Sequence, residues 1–488
     1  MLDNLGRSCS DRSVRSGHKR EPGFFVAAFV LVVGTGLMPS SAAAAVPTCH
    51  GKPATMVLSN VHVSGISPMQ GTPGDDVIVV KDDGTRHTYS LDTGAGNDTV
   101  CGGRPFARVD LGPGDDWFQG GSLAESVDGG DGNDTLYGNG GDDTLWGGAG
   151  DDTVKGGSGD DRLDGRGGLD EDTSQPQSDA LFGGSGDDTL LFGAPSDFSV
   201  ADTDTGDGGS GHDTASWEMA GYFASHDPST PGLHFTVGSG HYPGVRADGL
   251  RRIEAWRGSS YADVITGTSG DDDIDGVSGE DLIRGRAGDD RLAALSGTVR
   301  GGAGKDVFEE RRLDADGVTV DLGSGSDKAL VASGSATILG GAGRDELRLV
   351  VNHHDVDHDA AELGITFRGG TGSDLIDNRH RVSVHSTNWG FWVDVKKGIA
   401  TLASRPSPDL THPQVRFKSV NRFRGTKGRD NFKGSSRPEW FWGLGARDVL
   451  RGGGGRDHLY GGSGRDVAYG GPGRDVCQAE KRVHCERR

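Results

Sequence analysis

From Val100 onward an apolar residue returns at every ninth position: Val100, Val109, Phe118, Val127, Leu136, Leu145, Val154, Leu163, then Leu181 and Leu190. Asp172 alone breaks the column. The pattern predicts a chain of three-residue strands, each with its middle side chain turned inward, joined by short loops. A Gly/Asp-rich flexible linker has no reason to hold an apolar residue in phase over so many turns. Two positions before each apolar residue runs an acidic column: Asp98, Asp116, Glu125, Asp134, Asp143, Asp152, Asp161, Asp170, Asp179 and Asp188, with Ala107 out of character. The best-kept turn, Gly147-Gly148-Ala149-Gly150-Asp151-Asp152-Thr153-Val154-Lys155, reads G-G-x-G-x-D-x-U-x in full.

Each residue type has a mechanical reason. Glycines at positions one, two and four allow φ > 0 and close backbone approach to an ion. The loop carbonyls and the position-six carboxylate then form an all-oxygen shell, which suits calcium better than zinc or copper. This nonapeptide is the signature of calcium-loaded parallel β-rolls, and the chain resembles the RTX, or haemolysin-type calcium-binding repeat, family. The resemblance implies an all-β fold, a right-handed parallel β-roll or solenoid in which two nine-residue turns make one coil. It also implies multiple calcium ions, each between a loop and the loop eighteen residues later. Asp134 is then expected to face Asp152, Asp143 to face Asp161, and Asp152 also to face Asp170.

Repeats resume after interruptions. Gly74-Asp75-Asp76-Val77-Ile78 is an isolated early turn. A second phased block runs through Asp263, Asp272, Asp281 and Asp290, and a weaker third keeps acids at Asp327 and Asp345. The last block steps through Asp430, Glu439, Asp448, Asp457, Asp466 and Asp475. Two longer modules resemble each other: Gly208–Asp213 matches Gly369–Asp374, and Leu250–Gly258 matches Phe417–Gly425. Each is expected to be a widened coil with longer strands and a protruding loop, its Trp217, Trp256, Trp389 and Trp392 filling the wider interior or meeting a ligand. The expected organisation is a signal peptide at 1–45, an N-terminal cap with the first coils at 46–127, a calcium block at 128–192 and a widened module at 193–262. A second repeat block follows at 263–350, a second widened module at 351–429, a C-terminal block at 430–476 and a closing cap at 477–488. The candidate metal ligands are Asp116, Asp134, Asp143, Asp152, Asp161, Asp170, Asp179, Asp188, Asp213, Asp263, Asp272, Asp281, Asp290, Asp306, Asp374, Asp430, Asp448, Asp457, Asp466 and Asp475.

Composition sharpens the picture. The chain has 86 glycines in 488 residues and 33% hydrophobic residues, below the roughly 45–50% usual for globular domains, so a thick core is not expected. Net charge is −22, and it is unevenly placed. Residues 128–190 hold sixteen Asp/Glu against Lys155, Arg162 and Arg166, a repulsion that stacking would concentrate unless cations intervene. Residues 421–488 invert the balance, with fifteen Lys/Arg against eight Asp/Glu. Position five there becomes Arg447, Arg456, Arg465 and Arg474, either to bind an extracellular or cell-wall polyanion, or less expectedly nucleic acid, or, as the favoured reading, to neutralise the carboxylate column. Nucleic acid is not an expected partner, and the oligomeric state is open.

The N-terminus reads as a secretory signal: Arg7, Arg12, Arg15, Lys19 and Arg20, then the apolar run Phe24 to Val33, then Ala42 to Ala45. The run is short of a membrane span, so a secreted, extracellular protein is expected. Signal cleavage leaves four cysteines and three connectivities. Cys49–Cys101 with Cys477–Cys485 is favoured because each pair closes one end of a solenoid, and no C-x-x-C supports zinc. Neither H-E-x-x-H nor G-x-S-x-G occurs, so an enzyme is not expected. Asp271–Gly276 mimics an EF-hand opening but has Leu282 at the twelfth position, where calcium needs a carboxylate. His353–Asp359 could hold a divalent ion, or be a hydrated loop.

Overall fold

The computed structural model describes residues 46–58, 68–81, 89–102, 106–166, 178–192, 204–218, 232–239, 245–310, 316–331, 335–349, 364–378, 390–403 and 415–486. The expected signal peptide, Asp170, Trp389 and the His353–Asp359 cluster lie outside them. Among the described residues there are 46 short strands and no helix.

The inward apolar column dictates the pairing. Leu136 lies in parallel register with Phe118 on one side and Val154 on the other. Val127, Leu145 and Leu163 form the equivalent file on the opposite wall. Each of these side chains has no solvent exposure, so a one-residue slip would replace apolar by polar groups along a whole wall. Consecutive turns alternate between the two walls, which gives the two-walled coil of a parallel β-roll. One wall, sheet II, runs as an unbranched file of nineteen strands from Met69–Gln70 to Val476–Gln478. The facing wall is split: sheet I has nine strands, from Met56–Leu58 to Val245–Arg251. Sheet III has sixteen, from His234–Thr236 to Lys481–Val483.

The eighteen-residue step fails once inside the first block. Thr153 pairs with Ala180 and Arg162 with Thr189, steps of twenty-seven that span 167–177. The physical reason lies in the column itself. An unbroken step would seat Asp172 in the inward row next to Val154, where an unpaired carboxylate is expensive to bury. A step longer by one whole nonapeptide pairs Leu181 with Val154 and Leu190 with Leu163 instead, buried at 1% and 0% exposure.

In both long modules the sheet II strand before the module pairs directly with the one after it. In the first, Ala215 pairs directly with Trp256; in the second, Ile376 pairs with Phe423. The extra chain goes to the facing wall. Strands Gly390–Asp394 and Ile399–Ala403 form an antiparallel hairpin within sheet III, flanked by Val415–Lys418 and Asn431–Lys433. The interiors are aromatic. Trp217 packs 5.5 Å from Phe192 and 5.3 Å from Phe235, and Phe423 lies 5.0 Å from Phe417. Trp217 and Trp256 are buried and so fill the coil, whereas Trp392 is half-exposed. Disulfides join Cys49 to Cys101 and Cys477 to Cys485, one at each end of the roll.

Candidate metal centre

The acidic column forms a continuous inner ladder. The position-six amide of one turn donates to Oδ1 of the carboxylate in the next coil: Asp98 to Asp116 at 2.6 Å, Asp116 to Asp134 at 2.8 Å, Asp134 to Asp152 at 2.7 Å. On the other edge Glu125 donates to Asp143 and Asp143 to Asp161. The second block repeats this from Asp263 to Asp281 and from Asp272 through Asp290, Asp306, Asp327 and Asp345 to Asp374. The last links Asp430, Asp448 and Asp466, and separately Glu439, Asp457 and Asp475. Where a nonapeptide acid is missing, another residue takes its place. Glu254 accepts from Asp213, Asp204 from Asp179, and Glu480 from Asp466.

The second carboxylate oxygen is a different matter. Oδ2 of Asp98, Asp116, Asp134, Asp143, Asp161, Asp188, Asp213, Asp281, Asp290, Asp306, Asp327, Asp345, Asp374, Asp448, Asp457, Asp466 and Asp475 is buried with no hydrogen-bond partner among the described residues. In fourteen of these turns it points toward the glycine that opens the turn, whereas the turns of Asp98, Asp116 and Asp327 open on Thr93, Leu111 and Leu322. A Cβ on Gly443 would overlap Asp448 Oδ2 and press on the carbonyl of Gly461, one coil away, and Gly452 stands likewise between Asp457 Oδ2 and the Gly470 carbonyl. Gly148, at φ +115°, lies so close to the Gly130 carbonyl that no side chain fits there. Each turn is thus a cradle of one carboxylate oxygen and neighbouring carbonyls. Among the described residues no three His, Cys, Asp or Glu side chains converge on a point, so the donors are mostly backbone oxygens, a hard set that fits calcium.

Electrostatics says the same. Burial, aided by neighbouring carboxylates, pushes Asp116 and Asp281 up to about 8, Asp188 to about 7, and Asp179 and Asp448 to about 9. Buried carboxylates of this kind are held either by protons or by cations.

A second class of turn satisfies its carboxylate internally. Where position two is Thr or Ser instead of Gly, that residue closes the loop. Thr268 donates its amide to Asp272 Oδ2 at 2.7 Å and its hydroxyl to the same carboxylate. Ser259 does so for Asp263, with its amide at 2.6 Å and its hydroxyl at 2.8 Å. Thr426 does so for Asp430, and Thr72 for Asp76. The Thr or Ser oxygen then accepts an amide two residues on, as from Gly270 and Gly428. Such turns begin the second and last blocks, and Ser435 donates its hydroxyl to Glu439 one turn later.

An outer ladder on position five escaped the sequence reading. The amide of Asp115 donates to Asn97 Oδ1, Asn133 to Asp115, and Asp151 to Asn133; Asp160 and Asp187 donate to Asp142 and Asp160. The recurrent Asp/Asn at that position was the available signal. In the C-terminal block the arginines cannot accept, and Arg465 donates its amide to the Ala446 carbonyl instead. Arg447, Arg456 and Arg465 are exposed and make no ion pair among the described residues, so they do not neutralise the column by contact.

The structure places the expected residues as follows. Asp134 meets Asp152 and Asp143 meets Asp161, as expected from the eighteen-residue step. Asp152 does not pair with Asp170: its amide donates to Asp179, and that of Asp161 to Asp188. The cause is the twenty-seven-residue step that pairs Val154 with Leu181 and Leu163 with Leu190. Asp98, Glu125, Asp327, Asp345 and Glu439, absent from the candidate set, occupy the same inner ladder.

The family model for the RTX calcium-binding nonapeptide repeat (4 copies) matches residues 90–104, 110–145, 119–154, 137–171, 177–197, 257–292, 278–309 and 442–477. No curated protein matches the chain.

Proposed function

We propose that this chain, built on RTX calcium-binding nonapeptide repeats, is an exported scaffold that folds when calcium enters its glycine-type turns. The observation that carries the reading is the row of buried carboxylate oxygens with no protein partner, all but those of Asp98, Asp116 and Asp327 beside a glycine whose missing side chain leaves room for an ion. Asp116, Asp134, Asp143, Asp161, Asp188, Asp213, Asp281, Asp290, Asp306, Asp374, Asp448, Asp457, Asp466 and Asp475 supply those oxygens, with Asp98, Asp327 and Asp345 in equivalent turns. Asp152 and Asp179 belong to the same ladder. Calcium supplies positive charge and oxygen coordination there, and neutralises carboxylates that burial otherwise disfavours. The Thr/Ser-type turns of Asp76, Asp263, Asp272 and Asp430 take no ion, because protein donors already fill the role. In the second and last blocks they fix the first turn and give the calcium turns a template.

Export is supported by the basic-then-apolar N-terminus and by two disulfides at the ends of the roll, which suit an oxidising compartment. No helix among the described residues is long and apolar enough to cross a membrane. The test is far-UV circular dichroism of the mature chain during a calcium titration. A cooperative gain of β signal at roughly 0.1–1 mM calcium is expected, with magnesium a poor substitute. An unchanged β spectrum in excess EDTA at neutral pH would refute the reading.

A further inference from the structure

We propose that the C-terminal block is a docking surface for a linear acidic polysaccharide. Between residues 425 and 478 there are nine Lys/Arg and six Asp/Glu. All six acids belong to the inner ladder, and none is more than 2% exposed. All nine cations are exposed. The solvent-facing ionised groups of this block are therefore of one sign. Three of the cations have side-chain partners: Lys433 with Asp394, Arg451 with Asn431 and Arg474 with Glu486. The other six have no side-chain hydrogen bond or ion pair among the described residues.

The arrangement is linear. Arg429, Arg447 and Arg465 stand at position five of turns eighteen residues apart, on one edge of the roll. The strands that follow pair in parallel register, Asn431 with Val449 and Val449 with Val467. Neighbouring arginines are thus spaced by about one strand separation, ~4.8 Å, with Lys427 at the same edge. In the first block the same position holds Asp or Asn turned back to the adjacent loop. Arginine in its place converts an internal tie into an external row of guanidinium groups, which grip carboxylates or sulfates through paired donors.

A single flexible chain with regularly spaced charges fits such a row. Single-stranded nucleic acid needs free aromatic faces for base stacking. Here the rings stack on each other: Trp440 on His458 at 5.0 Å and Trp442 on Tyr460 at 5.9 Å, with Arg422 and Arg424 over Trp442. Duplex DNA would meet no helix or ribbon able to enter a groove. The inference rests on the calcium reading for one point, that the buried acids are neutralised when the surface binds.

The test is binding of the mature protein to dextran sulfate in 1 mM calcium, with neutral dextran and a DNA duplex as parallel probes. Circular dichroism on each sample reports folding separately, so a folded protein that fails to bind sinks this inference and leaves the calcium reading intact. Wild type should bind dextran sulfate and not dextran, with affinity falling as salt rises. The triple variant Arg429→Gln/Arg447→Gln/Arg465→Gln should fold normally, bind at least about tenfold more weakly and show a salt slope shallower by about two to three. The double variant Arg108→Gln/Lys155→Gln, outside the block, should bind as wild type does. Unchanged binding by the triple variant, equal loss in the double variant, or tighter binding to the DNA duplex than to dextran sulfate would overturn the proposal.

Discussion

Two carboxylates at the same position of the nonapeptide should respond in different ways to the same substitution. In Asp134→Asn the new side chain keeps the oxygen that accepts the Asp116 amide, but the buried Oδ2 becomes an NH2 that cannot ligate. Asp134 stands between Asp116 and Asp152 on the inner ladder, so two coordination sites lose a charged donor. With a dissociation constant near 0.1 mM and about 1 mM free calcium, each site contributes about 1.4 kcal/mol through mass action. Loss of both costs about 3 kcal/mol. In Asp272→Asn the group that accepts the Thr268 amide at 2.7 Å and its hydroxyl loses its charge; losing that charge assistance costs about 1.5–3 kcal/mol. The two variants are thus destabilised by similar amounts for different reasons. Urea midpoints measured from 0.3 to 10 mM calcium separate them. Asp134→Asn should reduce the dependence of stability on log calcium by one to two ions, and equilibrium dialysis should find correspondingly fewer ions bound. Asp272→Asn should shift every midpoint by a constant amount and bind as many ions as wild type. If Asp272→Asn loses ions as Asp134→Asn does, the division of the turns into two classes is wrong.

Removing calcium with EDTA at pH 7.5 should abolish most β signal, and acid should partly restore it. The buried carboxylates have values raised above the ordinary 3.8, to about 6 at Asp143, 8 at Asp116 and 9 at Asp179. Protonation therefore favours the ion-free fold below about pH 4, and that stability is lost as pH rises through 6 to 9; equal β content in EDTA at pH 5 and pH 7.5 would contradict this. Gly148→Ala forces a side chain into φ +115° and against the Gly130 carbonyl, and should cost at least 1–2 kcal/mol, whereas Gly74→Ala meets open space and should cost far less; urea denaturation in calcium measures both. Non-reducing peptide mapping should recover Cys49 linked to Cys101 and Cys477 linked to Cys485, and free thiols at those positions would be the contrary result.

The period of nine was legible because one inward residue per turn is enough to define a thin two-walled core. Val127, Leu145 and Leu163 needed no partner from afar to be placed. The sequence was equally clear about Asp172 as an exception, but not about its consequence. Whether a chain buries a misplaced acid or steps over a whole repeat depends on loop geometry that periodicity does not encode. The two kinds of turn were hidden for another reason. Thr268 and Thr426 differ from glycine at one position, and their meaning lies in where a hydroxyl reaches. The antiparallel hairpin of Gly390–Ala403 was out of reach too, since its aromatic runs specify strand but not direction.

Sheet II has a mechanical consequence. Its nineteen strands enclose eighteen intervals, which at about 4.8 Å each make a strut of roughly 86 Å. One end carries the Cys49–Cys101 clamp and the other the arginine edge, so the roll holds these two ends apart at a fixed distance. If the roll folds on calcium as proposed, the same polypeptide without ions is an entropic tether with no set length. Calcium concentration then sets its stiffness, turning a slack line into a spacer whose reach is counted in coils.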